Sequence, residues 1–154
     1  MRWFFAMVAG SVVALSVTIT SASGVSSAAF RAKAPADLPY IVHNSTASVL
    51  NGDVSLARSV VAGLSTGATD YTPTAKILVV GNGGVISCSL FSRNVDTGSL
   101  SSTNASGTVE GRSNAVFSLG LTLPNGPGYS HSAECSLPPQ TEFGAAGVLG
   151  ATIL

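Results

Sequence analysis

Residues 76–91 read KILVVGNGGVISCSLF, and this stretch decides the fold class. Two apolar runs, Lys76–Val80 and Val85–Phe91, flank a Gly-Asn-Gly-Gly segment. Asn-Gly is a strong hairpin signal, because both residues tolerate the positive φ angles that a type I′ turn requires. The stretch therefore predicts two antiparallel strands joined at Asn82-Gly83.

The same period-two pattern continues downstream of this stretch. Residues 115–122 and 129–137 alternate apolar and polar side chains, and residues 147–154 form a final apolar run. Such alternation is typical of an antiparallel sheet with one wetted face. Asn51-Gly52 and Asn125-Gly126 predict further hairpin turns. Together these patterns predict an all-β chain, a small antiparallel β-sandwich with jelly-roll, immunoglobulin-like or barrel-like topology.

Cys88 and Cys135 are the only cysteines in the chain, and strand register directs both into the core. Cys88 shares a strand face with Ile86 and Leu90, and Cys135 lies on the apolar face of residues 129–137. We therefore predict one inter-strand disulfide, Cys88–Cys135. It would close a loop of about 48 residues, worth about 4 kcal/mol in the chain-entropy model. The alternative is two buried thiols that act as small apolar residues.

An N-terminal export signal supports the disulfide. Residues 1–23 combine one positive charge with an uncharged, mostly apolar run, Phe4–Thr20, and with small residues that suit cleavage after Ala22 or Ser23, or later near Ala28-Ala29. This is the pattern of a secretory signal peptide. A retained anchor is the alternative, because the run reaches the lower end of the spanning range. Cleavage predicts a secreted or cell-envelope protein, extracellular or periplasmic, where disulfides form.

The rest of the chain is long enough for one domain. Residues 24–38 are mostly small and polar and predict a flexible leader, and residues 39–154 predict a single β-sandwich domain. Asp53–Leu64 is ambiguous, because it fits both a helical face with Asp53 as N-cap and a strand-like alternation. The β character of the remaining chain favours the strand.

Charge is sparse, at 9% of residues, with seven basic and seven acidic side chains. The sequence has no cluster of basic residues of the kind that binds nucleic acid. It also has no run of Lys or Arg that would favour binding to an anionic membrane surface. We expect no integral membrane span after signal cleavage. Low charge gives little repulsion between copies, so the composition is compatible with self-association or a cell-surface partner.

One motif suggests catalysis. Residues 63–67 match the G-x-S-x-G nucleophile elbow of α/β-hydrolases, with Ser65 at its centre. The candidate acids and base are Asp70, Asp96, Glu110 and His131. The elbow requires a helix after the serine, whereas residues 68–73, ATDYTP, do not begin one. Ser65 is therefore interpreted as a turn residue, and we expect no enzyme activity.

No cofactor or metal site is expected. His43 has no ligand-type neighbour in sequence, and Glu134 lies on the strand face opposite His131 and Cys135. His131 is interpreted as a partly buried side chain and His43 as a surface residue. Asp96 lies in an N-V-D-T-G segment and is interpreted as turn chemistry.

Two features of the sequence concern glycans, one as a ligand and one as a modification. Tyr40, Tyr71 and Phe143 are the main candidates for an exposed sugar platform, and they are too few and too scattered to predict a site. Asn44 and Asn104 begin N-x-S/T sequons, which matter only in a eukaryotic source.

A C-x-L … Y … C-x-L-P pattern is formed by residues 88–90, Tyr129 and residues 135–138, with Gly98 in the intervening loop. It resembles the pattern of secreted bacterial two-cysteine β-sandwich proteins, over about residues 76–154. The resemblance implies a β-sandwich and no known activity.

The sequence therefore predicts a secreted, non-catalytic structural or interaction domain without naming its ligand. One alternative is a pilin-like subunit of a cell-surface assembly, supported by the low charge, the single disulfide and the apolar residues 147–154. The other is a small serine hydrolase that uses Gly63-Leu64-Ser65-Thr66-Gly67.

Overall fold

The computed structural model describes residues 23–44, 48–64, 75–109, 114–119 and 128–153. Within these ranges the chain forms β-strands and two 3-10 turns, Ser27–Ala29 and Pro35–Tyr40. The described part of the chain has no helix with the length and hydropathy needed to cross a bilayer.

The strands form two antiparallel sheets, which confirms the predicted β-sandwich. The strands are β1 (Ser23–Ser26), β2 (Arg31–Ala32), β3 (Ile41–His43), β4 (Val49–Asn51), β5 (Arg58–Leu64), β6 (Ala75–Val80), β7 (Val85–Asn94), β8 (Leu100–Thr108), β9 (Asn114–Leu119), β10 (Tyr129–Leu137) and β11 (Gly147–Ile153). One sheet, which we call the β11 sheet, has the order β3-β4-β11-β6-β9, with β1 also paired to β11. The other has the order β2-β5-β10-β7-β8 and contains both cysteines, so we call it the disulfide sheet.

The core lies between the two sheets and is built from alternate side chains of their strands. Because successive side chains of a strand point to opposite faces, burying every second residue leaves the other face to solvent. On β10, for example, every second residue from His131 to Leu137 is buried, and the residues between them are half-buried. The fully buried apolar side chains include Phe30, Val49, Val60, Ile77, Ile86, Leu90, Leu137 and Val148.

The predicted disulfide is confirmed. Cys88 on β7 and Cys135 on β10 are bonded, fully buried and directly opposed in neighbouring strands, with their Cα atoms 4.1 Å apart. The bridge therefore lies within one sheet. It ties β7 to β10, while the two sheets are held against each other by the apolar core.

The Asn82-Gly83 turn is not a hairpin, which corrects the sequence prediction. It carries the chain from β6 in one sheet to β7 in the other. Gly83 does have a positive φ, of 88°. Asn82, however, is buried and donates from its amide to the Pro139 carbonyl at 2.8 Å. A Cβ on Gly84 would lie 2.7 Å from Pro138 Cγ, so glycine permits the close approach of this corner to that proline.

Asn51 makes a second corner of the same kind, so Asn51-Gly52 is not a hairpin either. Asn51 ends β4 in the β11 sheet, and the next strand, β5, lies in the disulfide sheet. Its fully buried amide donates to the carbonyls of Leu56, Leu137 and Pro138 at 3.1, 3.0 and 2.9 Å. Carbonyls shielded from water need such donors, and those of Leu137 and Pro138 lie where β10 ends. The third predicted turn, Asn125-Gly126, lies outside the described residues.

Residues 24–38 belong to the folded domain, which corrects the predicted leader. Ser23–Ser26 pairs with β11, and Arg31–Ala32 pairs with β5. Between them Phe30 is fully buried in the core. Because the segment is mostly small and polar, its composition did not indicate that Phe30 belongs to the core. The predicted signal peptide, residues 1–23, lies outside the described residues except for Ser23 and stays a prediction.

The ambiguous segment forms a strand in its second half. Arg58–Leu64 is β5, which pairs with both β10 and β2, whereas residues 53–57 form bends and loop. The strand interpretation is therefore confirmed for residues 58–64. Asp53 does not cap a helix.

Replacing Asn51 by alanine should lower the free energy of unfolding by about 2–4 kcal/mol. The reason is that the buried hydrogen bond to the Leu137 carbonyl and the part-buried ones to Leu56 and Pro138 are lost, and a buried group left unsatisfied costs about 1–3 kcal/mol. Urea denaturation followed by circular dichroism measures the change. Asn104→Ala, at an exposed position on β8, is the control and should stay within about 0.5 kcal/mol of wild type. Equal midpoints for the two variants would contradict the role of Asn51.

Replacing both cysteines, Cys88→Ala with Cys135→Ala, should cost about 2–5 kcal/mol of stability, because the unfolded chain regains the freedom of a long loop. Urea unfolding under oxidising conditions gives the difference. Adding a thiol reductant to the wild-type protein should bring its midpoint close to that of the double variant. An oxidised wild type that is no more stable than the double variant would contradict the prediction.

Candidate functional site

The outer face of the disulfide sheet carries an open groove of about 310 Å³. Its walls and floor come mainly from β7 and β10, with one residue from β8 and one that follows β2. The lining residues are Lys33, Phe91, Arg93, Leu100, Ser130, His131, Ser132 and Glu134. The groove thus combines an aromatic ring, hydroxyl groups and charged side chains, and all of them except Lys33 lie on strands.

Strand alternation places the β10 side chains of the groove. His131 and Ala133 are buried towards the core, so Ser130, Ser132 and Glu134 lie on the opposite face. The same argument applies to β7, where the residues on either side of Phe91 are buried. Phe91 is half-buried in the groove and lies opposite Ser132 in the β7–β10 ladder.

Charge is distributed unevenly along the groove. At one end Lys33 Nζ donates to Glu134 Oε1 at 2.6 Å, so these two charges neutralise each other. At the other end Arg93 is exposed and makes one long hydrogen bond, at 3.4 Å, to the Gly98 carbonyl. Among the described residues Arg93 forms no ion pair. The groove therefore offers one cation that no carboxylate of the described chain neutralises.

His131 lies at the base of the groove and is 5% exposed, which confirms its predicted place on the core side of β10. Burial lowers the pKa of its imidazole, which favours the neutral form at neutral pH. Of the candidate acids, Asp96 is exposed in the turn after β7. Ser65, Asp70 and Glu110 lie outside the described residues, so the structure does not test the hydrolase arrangement.

A second polar cluster lies at the corner between β4 and β5. Arg58 donates to Asp37 Oδ1 at 3.0 Å and to Asp53 Oδ2 from Nε at 2.9 Å, and its Nη2 also contacts Asp53. The guanidinium carbon lies 4.1 Å from the centre of the Tyr40 ring. Both carboxylates are thus engaged by a cation, and one face of Tyr40 is covered. Within the described ranges no group of three or more His, Cys, Asp or Glu side chains is arranged to hold a metal.

Asp53 closes the tight turn that follows β4. Its Oδ1 accepts from the backbone N–H groups of Ser55 at 2.8 Å and Leu56 at 3.2 Å, and from the Ser55 hydroxyl at 2.9 Å. The Ser55 N–H bond and the Arg58 contact hold the pKa of this carboxyl well below its usual range. The cluster stabilises a corner of the fold.

The structure does not bring the predicted sugar candidates together in the groove. Phe143 is exposed in the turn between β10 and β11, and Tyr71 lies outside the described residues. Among the described residues that line the groove, Phe91 is the aromatic one, and the sequence analysis did not single it out. The alternation of side chains along β7 could have identified it: Ile86 and Leu90 point inward, so Phe91, the next residue, must point outward.

The remaining sequence candidates lie on the surface or support a loop. His43 is exposed at the end of β3, as predicted, and Asn104 is exposed on β8. Asn44 is half-buried, and its Oδ1 accepts from the Ser48 N–H and hydroxyl groups. Asp96 occupies the predicted turn, where its N–H donates to Asn94 Oδ1 at 3.0 Å.

No protein-family model and no curated protein sequence matches this chain. Among solved structures, it is similar to a family two carbohydrate esterase from Cellvibrio japonicus, with 12% identity and a TM-score of 0.47 over 86% of this chain and 33% of that chain. It is also similar to TmCBM61 in complex with β-1,4-galactotriose, with 14% identity and a TM-score of 0.46 over 87% of this chain and 86% of that chain. The chain spans about a third of the esterase, 33%.

Replacing Asp53 by asparagine should flatten the pH dependence of stability in acid. A carboxyl whose pKa is lowered by folding stabilises the native state above its unfolded pKa of about 4, and that contribution is lost as the pH falls. The wild-type melting temperature should therefore drop more steeply than that of Asp53→Asn between about pH 5 and pH 2.5. Asp96→Asn, in an exposed turn, is the control and should keep the wild-type slope. Parallel profiles for wild type and Asp53→Asn would contradict the assignment.

Proposed function

We propose that this chain is an exported, non-catalytic binding domain whose groove on the outer face of the disulfide sheet binds carbohydrate. The observation that carries the proposal is the joint presence of Phe91, the serine hydroxyls and charged groups in one open groove. Sites built on strands are held more rigidly than sites on loops. The Cys88–Cys135 bridge joins the two strands that supply most of this one.

The chemistry of the groove suits a sugar. A pyranose ring has an apolar C–H face, which the Phe91 ring can cover, and a rim of hydroxyl groups. Ser132 supplies a donor and an acceptor for such hydroxyls, and the Glu134 carboxylate supplies acceptors. The Ser130 hydroxyl donates to the Arg93 carbonyl at 3.5 Å and keeps its acceptor for a ligand. The volume of about 310 Å³ is at the low end of the range for small-ligand sites. We therefore infer that the groove takes a chain end or a short stretch of a glycan.

The charges in the groove support binding rather than hydrolysis. Most glycoside hydrolases use two carboxyl groups that flank the scissile bond. Among the residues that the structure describes, the groove is lined by one carboxylate, that of Glu134, and Lys33 already engages it. The hydrolase hypothesis built on Ser65 is a separate one and concerns residues outside the described ranges.

Export is the remaining part of the proposal. A formed disulfide fits an oxidising compartment, either the extracellular space or the cell envelope. The signal-like residues 1–23 support the same location. A pilin-like subunit of a surface assembly is the alternative that the low charge and the apolar residues 147–154 of the sequence support.

Replacing Phe91 by alanine should weaken glycan binding at least about tenfold, since the ring supplies the apolar platform and tenfold corresponds to about 1.4 kcal/mol. A glycan array identifies a ligand for the wild type, and titration calorimetry then measures the change. Phe143→Ala, which removes a 53% exposed ring outside the groove, is the matched control and should bind normally. The proposal would be contradicted if the wild-type protein binds no glycan or if the Phe91→Ala variant binds as well as wild type. Circular dichroism confirms that both variants are folded.

A further inference from the structure

The groove has a positively charged end. Arg93 lies on the same face of β7 as Phe91 and two residues away, so the two side chains start about 6.5–7 Å apart. The Lys33–Glu134 pair lies at the other end, and strand spacing puts Glu134 about 13 Å from Arg93 along the ladder. A ligand lying over Phe91 would therefore have a cation at one side and a neutralised pair at the other.

The Arg93 guanidinium is available to a ligand. Its described contact is the 3.4 Å bond to the Gly98 carbonyl, which uses one of the five N–H groups of the side chain. Leu100 lies opposite Arg93 in the β7–β8 ladder and lines the groove beside it. An apolar neighbour that displaces water strengthens an ion pair formed there. The planar fork of an arginine matches a carboxylate with two parallel hydrogen bonds.

The other end of the groove offers a second anion no uncompensated cation. The side chain of Glu134 is 21% exposed, and its carboxylate is paired with Lys33, which also lines the groove. A carboxylate placed there would meet a pair with no net charge, whereas a sugar hydroxyl could donate to the Glu134 oxygens. The two ends therefore impose one orientation on a ligand that carries a single carboxylate per ring.

We propose that the groove selects acidic sugars, with Arg93 binding the carboxylate of a uronic acid whose ring packs on Phe91. This inference rests on the proposed carbohydrate-binding function and adds the chemical class of the ligand. It assigns Arg93 as the residue that determines specificity, while Phe91 and the serines serve neutral and acidic sugars alike.

Calorimetry on matched oligosaccharides tests the inference. Oligogalacturonate is compared with the neutral galactose oligomer, and oligoglucuronate with the glucose oligomer. Wild type should bind the acidic member of at least one pair about tenfold more tightly, and the preference should shrink as salt is raised from about 0.05 to 0.5 M. Arg93→Gln should lose the preference and keep its affinity for the neutral sugar. Arg93→Lys should retain part of it, because one charge remains without the bidentate fork.

Lys76→Gln is the matched control, since it removes an exposed positive charge from β6 in the other sheet and should leave the preference unchanged. Equal binding of acidic and neutral sugars by wild type, or a preference that survives in Arg93→Gln, overturns the acidic-sugar inference and leaves carbohydrate binding standing. Tighter binding of a sulfated than of a carboxylated oligomer also overturns the carboxylate assignment. If the wild-type protein binds neither these sugars nor any other glycan, the proposed function itself is overturned.

Discussion

Two buried asparagine amides fix how the chain passes between the sheets, and the rest of the fold depends on them. Asn51 begins the crossing from β4 to β5, and Asn82 lies in the crossing from β6 to β7. Their side chains donate to successive carbonyls, those of Leu137, Pro138 and Pro139, at the start of a third crossing, from β10 to β11. The hydrophobic effect that holds the sheets together is non-directional, so it does not specify which strand enters which sheet. Hydrogen bonds from a buried amide do specify this, because each donor must meet a particular carbonyl.

Much of the fold was predictable where a strand buries one face. β6, β7, β10 and β11 follow the alternation or apolar runs of the sequence closely, and the disulfide follows from the parity of Cys88 and Cys135. The corners at Asn51-Gly52 and Asn82-Gly83 were not predictable. An Asn-Gly pair indicates only that the chain tolerates a positive φ there, and it does not indicate which distant carbonyl the asparagine amide will bind. β8 was missed for a different reason. Its sequence, LSSTNASGT, has almost no apolar alternation, and it is a strand because β7 offers it an edge.

The candidate site divides in the same way. Phe91 and Arg93 were accessible from sequence, since the inward parity of Ile86, Cys88 and Leu90 already places them on the outer face. Lys33 was not accessible, because it reaches the groove only through the order of strands in the sheet. Its N–H bonds to the Ser59 carbonyl at 2.9 Å, which holds it at the sheet edge. A leader excluded from the domain by its composition thus supplies one of the charges of the site.

The pairing of β1 with β11 has a mechanical consequence. Ser23 lies opposite Ile153, so the two ends of the described domain meet in one antiparallel ladder. A pulling force between these ends would load the ladder one pair at a time, which is the unzipping geometry rather than the stronger shearing one. The strands of the groove lie in the other sheet, and two of them are covalently joined. We therefore expect a tethered copy of this domain to yield first at the β1 seam, with its groove still assembled.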